Sequence, residues 1–308
     1  MGTTGDETGR LQAGPRRRLL ERPPFSLLRD LSLRGYIIGA YRNLLLRDPD
    51  PAGLDHYRRL LTSGELTREA FLETIRGSEE FRFRVRFTDL LNSLHLSRCD
   101  FVRGLPRARQ ILDIGGTHQS NVEGAFVGLG YPYPFERLVI VDLPLEARHE
   151  LYAGSRAVDR VDTPLGPVWY RYHSMTDLSA FEDGDFDLVY CGQTIEHVAE
   201  EDADLTLKEV FRVLRPGGWL GLDTPNGRVC RMQQDELINP DHRVEYTHPQ
   251  VVAKLERAGF EILEAKGLNY AGAAAHGGPF STKEVAANQG VYWEIEDCYL
   301  LAYVCRRP

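Results

Sequence analysis

Two patterns of hydrophobic residues divide the chain near residue 100. Before this point, apolar residues such as Ile37 and Tyr41 recur at helical spacing and predict a small helical bundle over residues 31–98. Over residues 99–308, short apolar runs alternate with amphipathic stretches, as in βαβ units with helices on both faces of a mainly parallel sheet. Residues 1–30 have no such pattern, and their composition predicts a disordered lead-in.

Seven apolar runs in the second part predict strands. They are RQILDIGG, RLVIVDLP, VWYRYH, FDLVYC, WLGLDTPN, FEILEAKG and CYLLAYVCRR. No strong helical pattern separates the last two runs, so we expect them to pair antiparallel at the edge of the sheet. The amphipathic run ADLTLKEVFRVLRPGG predicts a helix that stops at Pro216 and Gly217.

Composition excludes several classes of protein. The chain has 308 residues, of which 42% are hydrophobic and 27% charged, and its net charge of −8 gives no basic footprint for nucleic acid. No apolar run has membrane-spanning length, and the first residues lack a secretory pattern. The five cysteines are widely spaced without a C-x-x-C pair, which argues against a disulfide framework and favours a reducing cytoplasm.

The glycine turn after the first predicted strand is the strongest local feature. Asp113 precedes Gly115 and Gly116, and ligands of open α/β sheets bind beyond the carboxyl ends of the strands. The turn continues with Thr117 and lacks the G-x-G-x-x-G pattern, so a nicotinamide dehydrogenase is the weaker interpretation. Asp142 ends the next strand, where a carboxylate can accept both hydroxyls of a ribose.

The run from Ile111 to Asn226 resembles the class I S-adenosylmethionine-dependent methyltransferases, most closely those that modify small molecules and glycans. The motifs that carry the likeness are ILDIGG, VIVDLP, DLSAFEDGDFDLVYCGQTIEHV and LKEVFRVLRPGGWLGLDTPN. The likeness continues through HRVEYTHPQVVAKLERAGF. It implies an enzyme with a Rossmann-like, doubly wound, mainly parallel seven-stranded sheet, an antiparallel edge strand, and S-adenosyl-L-methionine as cofactor.

The resemblance also implies eight cofactor-binding residues. They are Asp113, Gly115, Gly116 and Thr117 at the methionine part, Asp142 at the ribose, Ser174 and Met175 at the adenine, and Gln193 at the amino acid end. The family usually has an aspartate where Ser174 stands, so adenine recognition is altered. Glycine is common where Thr117 and His118 stand, and an alternative turn would bring His118 toward the transferred methyl group.

Two histidines are candidate catalytic residues. A sulfonium methyl group is already activated, so the protein supplies placement and, for an alcohol, a base. His242 in the long connection after Pro225 is the first candidate, because imidazole titrates near neutrality; the alternative is that it fixes the loop. His197 is the second, with packing beneath the cofactor as its alternative. His242, Glu245 and His248 match no metal-ligand spacing, so no metal is expected.

Two further segments carry weaker signals. The pattern Tyr-Arg-x-Leu-Leu-x-Arg-x-Pro-Asp-x-x-Gly from Tyr41 to Gly53 resembles a small bacterial helical domain of unknown function. That likeness implies no role, and a homodimer through this domain is one hypothesis. Aromatic residues between Leu268 and Asp297 favour a substrate wall.

The favoured function is O-methylation, dependent on S-adenosylmethionine, of a hydroxyl on a sugar, glycan precursor or bacterial secondary metabolite. We expect no nucleic-acid or membrane partner. Two alternatives stay open: an N-methyltransferase acting on a small natural-product amine, and a cofactor-binding interaction protein that no longer transfers methyl groups.

Overall fold

The computed structural model describes residues 32–45, 49–118, 121–144 and 158–308. The chain divides into two compact units, Met1–Phe81 and Arg82–Pro308. The lead-in predicted for residues 1–30 lies outside the described residues. The domain boundary between residues 98 and 99 stays a prediction, and the division into units falls earlier than that position.

The first unit is helical, as the sequence predicts. Its helices are α1 (Leu33–Leu44), α2 (Pro51–Ser63), α3 (Arg68–Gly77) and the start of α4 (Glu79–Arg103). The Asp50 and Thr67 side chains accept hydrogen bonds from amides in the first turns of α2 and α3, at 2.6 and 3.1 Å, which satisfies donors that a helix start leaves unpaired. Tyr36 and Phe71, with ring centroids 5.8 Å apart, lie in the small core of this unit.

In the described residues, the second unit contains one sheet of nine strands. They are β1 (Gln110–Ile114), β2 (Arg137–Asp142), β3 (Arg160–Thr163), β4 (Gly166–Tyr172), β5 (Phe186–Gly192), β6 (Leu214–Pro225), β7 (Glu261–Tyr270), β8 (Val291–Tyr292) and β9 (Cys298–Arg306). The strand order is β3-β4-β2-β1-β5-β6-β9-β7-β8. The five strands from β4 to β6 in this order are parallel, and β9 is antiparallel to both β6 and β7.

Helices cover both faces of the sheet. Besides α4 they are α5 (Gly124–Gly128), α6 (Glu200–Val213), α7 (Gly227–Gln233), α8 (His248–Arg257) and α9 (Thr282–Ala287). Ile111 of β1 belongs to the core that contains Leu94 of α4, whereas its neighbour Leu112 belongs to the core that contains Leu207 of α6. This alternation follows from the two-residue period of a strand and confirms the doubly wound α/β fold.

All seven predicted strands are present, and the structure adds the short β3 and β8 at the two edges. The predicted antiparallel pairing of the last two long strands is confirmed, with β9 lying between β6 and β7. The predicted end of α6 was wrong: the helix stops at Val213, and β6 already begins at Leu214. Leu214 pairs with Phe186 of β5, so sheet pairing ends the helix before Pro216 does.

No helix in the described part of the chain is long and apolar enough to cross a membrane.

Candidate active site

The candidate site lies where the parallel strands end. The carboxyl ends of β4, β2, β1, β5 and β6 meet at one edge, and the strand order reverses at β1, with β2 on one side and β5 on the other. Such a reversal is the place where open α/β sheets bind ligands. We call the part beyond β1, β2 and β4 the cofactor half, and the part formed by residues 195–197 and 238–245 the acceptor half.

The glycine turn after β1 has no room for side chains. Gly115 has φ 71°, and a Cβ there would lie 2.7 Å from the Thr194 hydroxyl. A Cβ at Gly116 would overlap the carboxylate of Asp113. The turn is therefore restricted to glycine, and it leaves backbone exposed at the end of β1 for a bound group.

Asp142, at the end of β2, bonds to this turn. One of its carboxylate oxygens accepts the Thr117 amide at 3.2 Å, and the other accepts the Leu143 amide at 2.7 Å. The two strand ends are thus tied together, with a carboxylate where a ribose would lie in a doubly wound fold.

Asp113 lies beneath the turn and is 1% exposed. Burial raises the pKa of Asp113 to about 8, and the hydrogen bond that it accepts from the Phe126 amide at 3.3 Å offsets only part of that rise. The carboxyl group is therefore a protonated, structural support of the turn near neutral pH.

The segment after β4, where the resemblance implies the adenine contact, contains a group that the sequence did not reveal. Ser174 and Met175 follow β4, and the Ser174 hydroxyl bonds to the Thr176 hydroxyl at 2.8 Å. His173 donates through Nδ1 to the Ser174 carbonyl at 3.1 Å, which leaves Nε2 as an acceptor. That nitrogen is buried and has no hydrogen-bond partner in the described part of the chain. An adenine amino group would supply the missing donor, so this end of the cofactor half fits the cofactor.

Gln193 marks the junction of the two halves. It has φ 56°, and its amide Nε2 donates to the Asp223 carboxylate at 2.9 Å. Asp223 is fully buried and also accepts Arg98 Nε at 2.8 Å and the Tyr190 hydroxyl at 2.5 Å. The unusual backbone at Gln193 is therefore held by a buried ion pair with α4.

The acceptor half is assembled by backbone hydrogen bonds between two distant segments. Glu196 lies in the 3-10 turn Ile195–His197 directly after β5. Its carbonyl accepts the amides of Arg243 and Val244 at 2.7 and 3.2 Å. This clamp places the His242 ring 5.0 Å from the His197 ring, centroid to centroid.

A carboxylate orients His242 in this histidine pair, and a second carboxylate, that of Glu196, lies in the same half of the site. His242 is 6% exposed and donates through Nδ1 to Glu245 at 2.8 Å. Glu245 also accepts Arg231 and the Ile238 amide at 2.8 and 2.7 Å. Although burial raises the pKa of Glu245, these hydrogen bonds lower it below its ordinary value. Glu196 has fewer partners, and burial raises its pKa to about 7.

A cavity of about 100 Å³ lies between Gln193 and His242. It is lined by Leu90, Leu94, Gln193, Pro225, Gln233, Ile238, Asn239, His242, Tyr299 and Leu300. The aromatic residues that the sequence favoured as a substrate wall, between Leu268 and Asp297, are not in this lining of described residues. The walls come instead from α4, β9 and the connection that contains α7.

The remaining residues predicted from the sequence lie outside the cavity lining. His248 bonds to the Tyr303 hydroxyl at 2.8 Å, so it does not converge with His242 and Glu245. His118 is exposed at the end of the turn, and its approach to the methyl group stays a prediction. Sequence reasoning missed Glu196, which the Glu-His dipeptide after a strand could have indicated, and Arg98, which no local signal marks.

Comparisons with known proteins agree with this geometry. Residues 134–222 match the family described as "Methyltransferase domain", and residues 25–85 match "Domain of unknown function (DUF4214)". A probable S-adenosylmethionine-dependent methyltransferase of Mycolicibacterium smegmatis is 33% identical over 33% of this chain and 41% of its own length. A ubiquinone biosynthesis O-methyltransferase of Thiobacillus denitrificans is 28% identical over 40% of this chain and 53% of its own length. The chain thus spans about half the length of these curated relatives.

Solved structures support the fold. A methyltransferase of Thermotoga maritima, described as a possible histamine N-methyltransferase, matches with a TM-score of 0.50 and 18% identity over 74% of this chain and 95% of its own. Residues 134–222 of the second unit are therefore similar to a methyltransferase domain, and the unit has the fold of class I S-adenosylmethionine-dependent methyltransferases. S-adenosylmethionine is the cofactor that these likenesses indicate, and residues 25–85 are similar to the domain of unknown function.

Proposed function

We propose that this protein transfers a methyl group from S-adenosylmethionine to a hydroxyl oxygen of a small molecule held in the cavity. The observation that carries the proposal is the cavity itself, because Gln193 at the junction and His242 of the acceptor half both line it. An acceptor in this position would lie between the cofactor and a base.

The cofactor half would hold S-adenosylmethionine along the strand ends. Asp142 would accept the ribose hydroxyls, and the backbone at Gly115 and Gly116 would lie against the methionine part. Met175 and the Nε2 atom of His173 would contact the adenine. The bound cofactor supplies an electrophilic methyl group and leaves as a neutral thioether.

His242 would act as the base. Glu245 holds Nδ1 of His242 in its protonated form, so Nε2 is the nitrogen that can take a proton. As the acceptor oxygen forms its bond to the methyl carbon, the electron pair of the breaking C–S bond goes to sulfur, and the hydroxyl proton goes to Nε2. His197, whose Nδ1 lies 3.2 Å from the Asp241 carbonyl, would be the second catalytic histidine.

The lining favours one class of acceptor. Leu90, Leu94, Ile238 and Leu300 give the cavity apolar walls, which suit the faces of a ring better than the many hydroxyls of a sugar. Gln233 Nε2 is buried without a partner in the described residues, so it would donate to a second oxygen of the acceptor. Among the expected substrates, a phenolic hydroxyl of a secondary metabolite fits best. The relatives named as ubiquinone biosynthesis O-methyltransferases support oxygen as the methylated atom.

Calorimetric titration with S-adenosylhomocysteine tests the cofactor half. We expect micromolar binding to the wild type, a large loss in Asp142→Ala, and no change in Asp162→Ala, whose carboxylate is exposed on β3. Absence of binding to the folded wild type would contradict the proposal.

Transfer of labelled methyl groups tests the acceptor. Incubation with panels of phenols, sugars and amines should label phenols most, and His242→Gln should reduce kcat while S-adenosylhomocysteine binding persists. Labelling of amines alone would replace O-methylation by N-methylation. Labelling of sugars alone would overturn the choice of acceptor.

We further propose that the helical unit mediates a homodimer in the cytoplasm. The unit has its own core around Tyr36 and Phe71, and the residues assigned to the site lie outside it, so a role in assembly would leave the chemistry untouched. Sedimentation of the full chain as a monomer at micromolar concentration would contradict the dimer.

A further inference from the structure

Three side chains of the acceptor half converge on one point. Glu196, His197 and His242 each place one potential ligand atom so that all three atoms lie within 4.8 Å of one another. Glu196 is fully buried, His242 is 6% exposed, and His197 is half-buried. Two imidazoles and one carboxylate in a buried position form a recurrent donor set of metal sites.

One potential ligand atom of each side chain is already engaged in a hydrogen bond, which leaves the other available to a ligand. His242 uses Nδ1 on Glu245 at 2.8 Å, and His197 uses Nδ1 on the Asp241 carbonyl at 3.2 Å. Glu196 uses Oε2 to accept the Thr224 hydroxyl at 3.0 Å. This leaves two Nε2 atoms and one Oε1 atom. Metal-bound histidines typically donate their other N–H to a carboxylate or a carbonyl in this way.

The Glu196 carboxylate has one unsatisfied oxygen among the described residues. Glu196 Oε1 is buried and has no hydrogen-bond donor in the described part of the chain. Burial of an unpaired carboxylate oxygen is costly. Both histidine Nε2 atoms are acceptors once Nδ1 carries the proton, so neither ring in its neutral form supplies the missing donor. A cation would satisfy all three atoms at once.

We propose that Glu196, His197 and His242 bind one divalent first-row transition-metal ion. The mixed nitrogen and oxygen donors suit Mn²⁺, Fe²⁺, Co²⁺ or Zn²⁺ better than Mg²⁺ or Ca²⁺, which prefer oxygen alone. This set differs from His242, Glu245 and His248, because Glu245 bonds to Nδ1 of His242 and His248 bonds to Tyr303. The site rests on the geometry of the chain and does not depend on the identity of the acceptor.

Binding requires a small closure of the three side chains. Ligands about 2.1 Å from a tetrahedral ion lie about 3.4 Å apart, so a pair of ligand atoms at the 4.8 Å limit would approach by about 1.4 Å. Three protein ligands leave at least one position open, as in catalytic sites, and His242 lines the cavity. The open position would therefore face the acceptor.

The ion would change one step of the proposed function, and this consequence rests on that function. A hydroxyl beside a divalent cation loses its proton more readily, so the proton would pass to solvent and not to His242, whose Nε2 would be a ligand. The C–O bond would still form as the C–S bond breaks, with its electron pair going to sulfur. His242 would then be a ligand and not a base.

Cobalt titration of the chelator-treated full chain, without cofactor or acceptor, tests the site. Visible absorption of Co²⁺ should saturate at one ion per chain, and calorimetry should give a dissociation constant in the micromolar range or below. Glu196→Gln keeps the shape of the side chain and should weaken binding by at least about 100-fold, as should His242→Gln. His276→Gln is the matched control, because this exposed histidine bonds to Tyr270 away from the cluster, and should bind as the wild type does.

If Glu196→Gln does not fold, a variant that keeps all three metal ligands can still test the site. Glu245→Gln removes only the carboxylate behind His242 and should weaken binding by about 10–100-fold, with circular dichroism confirming the fold. Absence of cobalt uptake by the folded wild type, or equal spectra for the wild type and Glu196→Gln, would overturn the site. If the chain binds S-adenosylhomocysteine but takes up no cobalt, the metal site is wrong and the proposed function stands. If the chain takes up cobalt but transfers no methyl group, the metal site stands and the proposed function is wrong.

Discussion

The cofactor half, around Gly116 and Asp142, is built mainly from backbone, whereas the acceptor half, around Glu196 and His242, is built from buried side chains. In the cofactor half, amides hold both oxygens of Asp142, and glycines keep the space above β1 open. In the acceptor half, Glu196 and His242 are nearly inaccessible, and each is held by a polar side chain, Thr224 for Glu196 and Glu245 for His242. The first half therefore depends on empty space, and the second on polar partners.

Because of this difference, a substitution in one half should impair ligand binding there and leave ligand binding in the other half unchanged. An added methyl group damages the cofactor half, while an isosteric change that removes a charge damages the acceptor half. The junction at Gln193, Asp223 and Arg98 is common to both.

Removal of the junction charge should have the largest effect. Arg98→Met leaves the Asp223 carboxylate buried without its cation, and we expect the free energy of unfolding to fall by about 3–5 kcal/mol. Urea denaturation measures it. Arg103→Met, on the same helix, removes a partner of Asp100 in a pair whose side chains are 57% and 51% exposed, and should cost at most about 1 kcal/mol. Equal losses in the two variants would show that the Arg98 pair is not the common support.

A methyl group at the turn should break the cofactor half alone. The Cβ of Gly116→Ala would overlap Asp113, so we expect a loss of about 1–3 kcal/mol in stability and of S-adenosylhomocysteine binding in calorimetry. Cobalt titration of the same variant should match the wild type. Gly77→Ala is the control, since nothing lies within 4 Å of its added Cβ. Loss of both ligands in Gly116→Ala would contradict the independence of the halves.

The pH dependence of stability should test the buried Asp113 of the cofactor half. Burial raises the pKa of Asp113 to about 8 in the folded chain, near the charged residues Arg98, Asp142 and Asp223, whereas an unfolded aspartate has a pKa of about 3.9. The folded state therefore binds the extra proton between these values, and stability falls as pH rises through that window. Relative to Asp113→Asn, the wild type should lose at most about 1.4 kcal/mol per pH unit between pH 6 and 8. Thermal unfolding of both proteins across this range measures the difference, and parallel curves would contradict a protonated Asp113.

The two halves also differ in how far the sequence predicts them. Asp113, Gly115, Gly116 and Asp142 follow directly after strands, so a local pattern reveals both their position and their proximity. The fold follows from the same alternation of strands and helices. Contributions to the cofactor half that no motif marks, such as Nε2 of His173, emerge only from packing.

The acceptor half could not be predicted in the same way, because its contacts span long stretches of chain. Glu196 and Arg243 meet through a backbone clamp, and Arg98 and Asp223 are separated by 125 positions. The sequence placed His242 in a long connection but gave no sign of α7 within it, and it did not single out Glu245 as the residue that orients His242. Sheet pairing and the backbone clamp between Glu196 and Arg243 determine these contacts, and neither can be predicted from a short stretch of sequence.

The cysteines give the protein a practical property. All five thiols are buried, and burial raises the pKa of Cys99, Cys191, Cys230, Cys298 and Cys305. Maleimides react with exposed thiolates, so the native chain should resist labelling at neutral pH. A single cysteine introduced on the surface would then accept a fluorophore or spin label without replacement of the native ones, and distances between probes on the helical unit and on the sheet could be measured in solution.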